Sequence, residues 1–316
     1  MPCRVKAMIT LVVIAPLLTE LVSGNTPPHA FLHPSITLFL IGAYSFPLLV
    51  LREFAVRRRL ASVGVFVLGL AYGLLNEGLI AQTLIRADRV PMPNFDRYMY
   101  GAGVNFSWLA VIVPWHALMA VLFPLALLAH WFPSCAGNPW LGRRAFAALS
   151  GVLIACVTFI GFVRAPHTQM RAFLLAMALL VALASILRGK RLALTEAPAR
   201  RVLPFLLGIL FYAGIFLTPM ILANKRVCPA IFFATIAGLL LAFAWLSRRA
   251  GFAIVSAGAT IALGSYFAAS LFNMVGGFRR HSVEAVTCGG LLAAVLVILG
   301  RINPQCKPQT APAQTR

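Results

Sequence analysis

Glu20, Glu77 and His116 each lie inside a different long apolar run of this chain, and Asn76 stands beside Glu77. Ionisable groups are costly in hydrocarbon, so they face protein or a wet cavity and mark ion, proton or ligand sites. Glu77 reads as a proton or cation site, His116 as its coupled partner and Glu20 as a group near the outer mouth. The same residues also serve a plainer purpose, in which a neutral Glu77 hydrogen-bonds His116 or a backbone carbonyl and holds helices together. His29 and His33 do not make a metal site, because their H-x-x-x-H spacing lacks helical context and a third ligand.

The elements that must position these groups are membrane helices. Hydrophobic residues make up 61% of the 316, charged residues only 11%, and the mean hydropathy is +0.90. An ordinary soluble domain carries roughly 25% charged residues, so a water-soluble fold is excluded. Apolar runs of about 20 residues mark ten spans: 7–23, 35–51, 62–85, 106–130, 145–163, 170–187, 202–222, 230–247, 251–275 and 286–300. The fold expected is an all-α, polytopic transmembrane bundle forming a single integral membrane domain over 1–316. Nine or eleven spans remain open, since the last is short and the fifth and sixth adjoin.

Net charge is +20, yet the basic residues flank apolar runs and do not line one face. They read as topology signals and contacts to anionic lipid headgroups, not as a nucleic-acid surface. With the amino terminus inside, 18 of the 27 Lys and Arg fall on the inner side and 9 on the outer, which puts both termini in the cytoplasm. The first run also resembles a signal peptide, with Arg4 and Lys6 ahead of an apolar core and Ser23 and Gly24 after it. Pro16 and Glu20 interrupt that core, and no A-x-A-like site ends it.

This topology supplies depth. At 1.5 Å per residue, Glu20 lies roughly 6 Å, Glu77 about 13 Å and His116 about 15 Å below the outer ends of their spans, all in the outer half. Gly69, Gly73 and Glu77 recur at i, i+4 and i+8, so they share one helical face on which the glycines admit a neighbouring helix closely. Pro114 frees a carbonyl and kinks the fourth span just before His116. Tyr212, Tyr266 and Asn273, with Ser265 and Ala269, offer further polar wall. The outer segment from Ala87 to Asn105 is either a lid or a short structured connector. Cys228 and Cys288 both approach the outer side, where a bridge between them is one arrangement. Phosphate loops, nucleophile elbows and H-E-x-x-H helices are absent from the sequence, and no cofactor is expected.

The stretch Ala15 to Pro27, APLLTELVSGNTP, with Ala71 to Leu79, AYGLLNEGL, resembles a family of uncharacterised bacterial multi-pass membrane proteins. In that family an acid closes the first helix and a Glu-Glu-Gly stands in the third; here Asn76 replaces the first Glu. The resemblance implies a bacterial inner membrane and no particular activity. A second similarity is to the CAAX-processing and bacteriocin-processing intramembrane proteases, whose E-E-x-x-x-R helix is followed by histidines on later helices. Here Asn76 and Ala81 stand at the first acid and the arginine, and Glu77 with His116 would activate water. The reading placed first is a transporter or permease of a small solute or ion. A structural or assembly protein, and an intramembrane protease-like or lipid-modifying enzyme, are its alternatives.

Overall fold

The computed structural model describes residues 2–21, 26–90, 95, 98–164, 166–188 and 202–249, with seven isolated residues beyond them: 260, 261, 264, 265, 267, 268 and 271. Most of the expected span 251–275 and all of 286–300 lie outside the described residues, as do Tyr266, Ala269, Asn273 and Cys288.

The first helix, α1, covers Cys3–Pro16 and runs on as a widened π-helical turn, Leu17–Leu21. Seven further helices are long and apolar enough to cross a membrane: α2 Pro34–Arg58, α3 Ser62–Ile80, α4 Phe106–Ala129, α5 Arg143–Val163, α6 Thr168–Ile186, α7 Val202–Asn224 and α8 Pro229–Leu246. The chain is thus an all-α polytopic bundle, as its composition predicts. Arg4, Lys6 and Glu20 give α1 three charges and keep it out of that group. The second span runs seven residues further than 35–51, to Arg58, and the third ends at Ile80, five short of 85.

The apolar window of α4 is 100% buried in protein, whereas that of α5 is 11% buried. α4 is therefore the centre of the bundle, and α5, α6 and α8 form its outer wall. Ile154, Phe159, Leu175, Leu179 and Leu241 stand exposed there, a surface suited to acyl chains.

Packing of α3 on α4 depends on the glycine face. A Cβ at Gly69 would lie 2.7 Å from the Ala117 Cα, and one at Gly73 would lie 2.9 Å from the Val113 carbonyl oxygen. On its other side α3 meets α6, where Gly78 faces the Phe173 ring.

Several helices widen locally into π-turns: 17–21, 41–45, 75–80, 116–122 and 213–217. Three of these end two residues before a proline, namely Pro47, Pro124 and Pro219. Proline lacks the N–H owed to the carbonyl four residues back and its ring crowds that carbonyl, so a widened turn relieves the clash.

The end of α2 departs from the expected loop. Arg52 and Glu53 are helical, buried and ion-paired. Arg52 Nη2 donates to the carbonyls of Cys135 (3.2 Å), Ala136 (2.7 Å) and Asn138 (2.7 Å), and its guanidinium lies 3.6 Å from the Trp140 ring centroid. Glu53 accepts from the Trp140 and Leu141 amides and from Arg57. This clamp fixes the connection between α4 and α5.

Ahead of α4, Asn105 caps the helix by accepting from the Trp108 amide at 2.9 Å, and the two-residue strands β1 Tyr100–Gly101 and β2 Val104–Asn105 form a hairpin. Tyr98 donates to the Val227 carbonyl and Tyr100 to that of Ile85. The described part of this segment is a structured connector, the plainer of its two readings. Arg86 and Asp88 form an exposed pair at 2.9 Å in which the guanidinium holds the Asp88 carboxyl below its ordinary range.

Gly69→Ala is expected to wedge α3 from α4 and lower stability by about 1–3 kcal/mol. Gly151→Ala, where the added carbon meets nothing within 4 Å, is expected to leave stability unchanged. Thermal unfolding of the two purified variants in detergent checks both.

Candidate functional site

The centre of the site is a hydrogen bond of 2.6 Å between His116 Nε2, on the π-turn of α4, and Glu77 Oε1, on the π-turn of α3. Both residues are buried. They face one another because Gly73, one turn before Glu77, lets α3 lie against Val113, one turn before His116. Thr83, in the turn after α3, donates to the other oxygen of Glu77, and the Trp108 indole donates to Thr83 at 2.9 Å. Two side chains from two elements therefore bond the Glu77 carboxyl group directly, and Trp108 supports one of them from behind.

The His116 ring is held between two tyrosines. Tyr44 stacks on it with centroids 6.4 Å apart, and Tyr72 meets it edge-on at 5.8 Å. His116 Nδ1 is buried and has no hydrogen-bond partner among the described residues. Among the described residues, Glu77 Oε1 is thus the hydrogen-bond partner that fixes the ring, through Nε2.

Glu20, on the π-turn that ends α1, accepts from Thr26 at 2.6 Å and from the Tyr44 hydroxyl. It thus joins the site through Tyr44, whose ring covers His116. The residues predicted from sequence fall into two kinds of position. Glu77 and His116 meet directly, and Glu20 meets them through one side chain. Asn76 likewise reaches the His116 ring through one side chain, turning back along its own helix to donate to the Tyr72 hydroxyl at 3.1 Å.

Two hydroxyls here also repair the backbone. Pro47 has no N–H for the Ala43 carbonyl, and Tyr72 donates to that oxygen at 3.0 Å. Pro16 has none for the Val12 carbonyl, and Ser45 donates to it at 2.7 Å. The helices that carry Glu20, Tyr44 and Glu77 are thereby tied side to side at the depth of the site.

Tyr44, Tyr72, Thr83 and Trp108 were missed from sequence. The signal for the tyrosines was depth: each sits about ten residues inside an apolar run, too deep for an interfacial ring. Other expected wall residues lie elsewhere. Tyr212 belongs to an aromatic group with Trp115 and Phe216, centroids 5.6 and 5.3 Å away. Ser265 donates to the Gly208 carbonyl at 2.9 Å. His33 Nδ1 pairs with the Ser35 hydroxyl at 2.8 Å. Among the described residues no three His, Cys, Asp or Glu gather as for a metal ion.

Thr83→Val is expected to cost about 1–3 kcal/mol, since it strips Glu77 of a donor and Trp108 of an acceptor in a dry interior. Combined with Trp108→Phe, the loss should fall short of the sum by about 0.5–3 kcal/mol, because both substitutions break one chain of bonds. Thermal unfolding of the two single variants and the pair measures that coupling.

Against known proteins, residues 9–302 match the family model described as an uncharacterized membrane protein family. No curated protein and no solved structure matches.

Proposed function

The chain belongs to that uncharacterized membrane protein family, and we propose that it is a permease-like transporter moving a small solute or ion in step with a proton or cation held at Glu77 and His116. The observation that carries this reading is the buried Glu77–His116 bond, with the second ring nitrogen of His116 having no hydrogen-bond partner among the described residues. Ionisable groups hidden in a membrane protein cost free energy, and ion and proton pathways are where that cost is commonly borne. Glu20, tied to Tyr44, gives the pair a second carboxylate toward the chain's outer side. The asymmetry of basic residues supports cytoplasmic termini and, with the resemblance described above, a bacterial inner membrane.

The experiment is proton flux into vesicles. Purified protein is reconstituted with a pH-sensitive dye trapped inside, and a pH step is applied across the membrane. Flux through the native chain should disappear in Glu77→Gln and fall at least tenfold in His116→Ala, while both variants insert and keep their helical circular dichroism. Unchanged flux in Glu77→Gln, or a native chain with no flux above empty vesicles under either a pH step or a sodium gradient, overturns the reading. A native chain without flux that co-purifies with a partner favours an assembly protein, and one that cleaves peptide or lipid in detergent favours an enzyme.

A further inference from the structure

A second polar region lies at the far end of α2, about 13 residues and roughly 20 Å along that helix from Tyr44. There a cavity of about 400 Å³ opens between the last turn of α2 and the connection to α5, lined by Arg57, Arg59, Gly137, Asn138, Pro139 and Arg143 among others. That volume falls in the range of small-ligand sites, roughly 300–1,000 Å³.

The cavity is positively charged by construction. Within the clamp one carboxylate, Glu53, serves two guanidiniums, Arg52 and Arg57. The Arg59 and Arg143 side chains belong to exposed residues and make no hydrogen bond or ion pair among the described residues. Arg57 Nε is buried without a hydrogen-bond partner among them. Arg143 opens α5, so the positive end of a 21-residue helix faces the same place. Arg59 adopts a left-handed backbone, φ 52°, which stops α2 and turns the chain there.

The wall opposite is rigid. Arg52 occupies three carbonyls of the connection and Glu53 two of its amides. Burying such a pair is costly unless its hydrogen bonds are satisfied, and the result is a fixed, acid-poor rim around unpaired arginines. Guanidiniums recognise phosphate oxygens with paired, charge-assisted bonds. We infer that this cavity binds a phosphate group, in the form of an anionic lipid headgroup or a soluble phosphate. The inference does not depend on transport at the Glu77 pair.

The test uses the purified full chain in detergent, titrated in separate arms with short-chain phosphatidylglycerol and with inorganic phosphate, and followed by native mass spectrometry and thermal shift. The native chain should bind in at least one arm, weakly at high salt. The Arg59→Gln/Arg143→Gln pair should bind at least tenfold more weakly, and Arg171→Gln, at the start of α6, should bind like the native chain. Binding in the lipid arm alone names a headgroup as the ligand, and binding in the phosphate arm names a soluble one. Equal affinity of the double variant and the native chain, loss in Arg171→Gln as large as in the double variant, or no binding in either arm overturns the inference.

Discussion

Every backbone amide and carbonyl in a membrane helix needs a partner supplied by protein, because hydrocarbon offers none. This chain breaks its helices with proline at several depths and must therefore meet that demand by other means. It does so partly by widening turns ahead of Pro47, Pro124 and Pro219, and partly by sending hydroxyls across: Tyr72 to the carbonyl Pro47 leaves, Ser45 to the one Pro16 leaves. The candidate site grows from those repairs. Tyr72 is held by Ala43 and Asn76, its ring steadies His116, and His116 meets Glu77.

Close helix approach completes the arrangement. Gly69 and Gly73 bring α3 so near α4 that Ala117 and Val113 fill the space a side chain would take. Without that contact Glu77 would stand too far from His116 for a hydrogen bond. Steric fit and polar chemistry are thus adjacent turns of the same two helices.

Fold class was legible in composition alone, and most span boundaries followed from run length, because the constraint of bilayer thickness acts on single helices one at a time. The glycine face was legible for the same reason, being a pattern within one helix. Pairing across helices was harder. Glu77 and His116 announced themselves by their cost in hydrocarbon, but Asn76 sat beside Glu77 in sequence and binds Tyr72 in space, since neighbours along a helix point to different faces. Thr83 and Trp108 are ordinary residues near a helix end, and nothing local marks them as a relay into a carboxylate. Arg52 and Glu53 were hidden by charge itself: a cluster of arginines at the end of an apolar run reads as a loop, whereas their pairing keeps the helix going to Arg58.

The widened turn at 41–45 and the clamp at Arg52 share one helix, and that has a geometrical consequence. A helix advances about 100° per residue, so squeezing the surplus residue out of that turn would spin everything after Phe46 by about that angle. Arg52 would swing away from its three carbonyls and Glu53 from its two amides. The anchorage at one end of α2 therefore locks the winding at the other, and Tyr44 keeps its place over His116 because a guanidinium some 12 Å further along the axis will not let the rod turn.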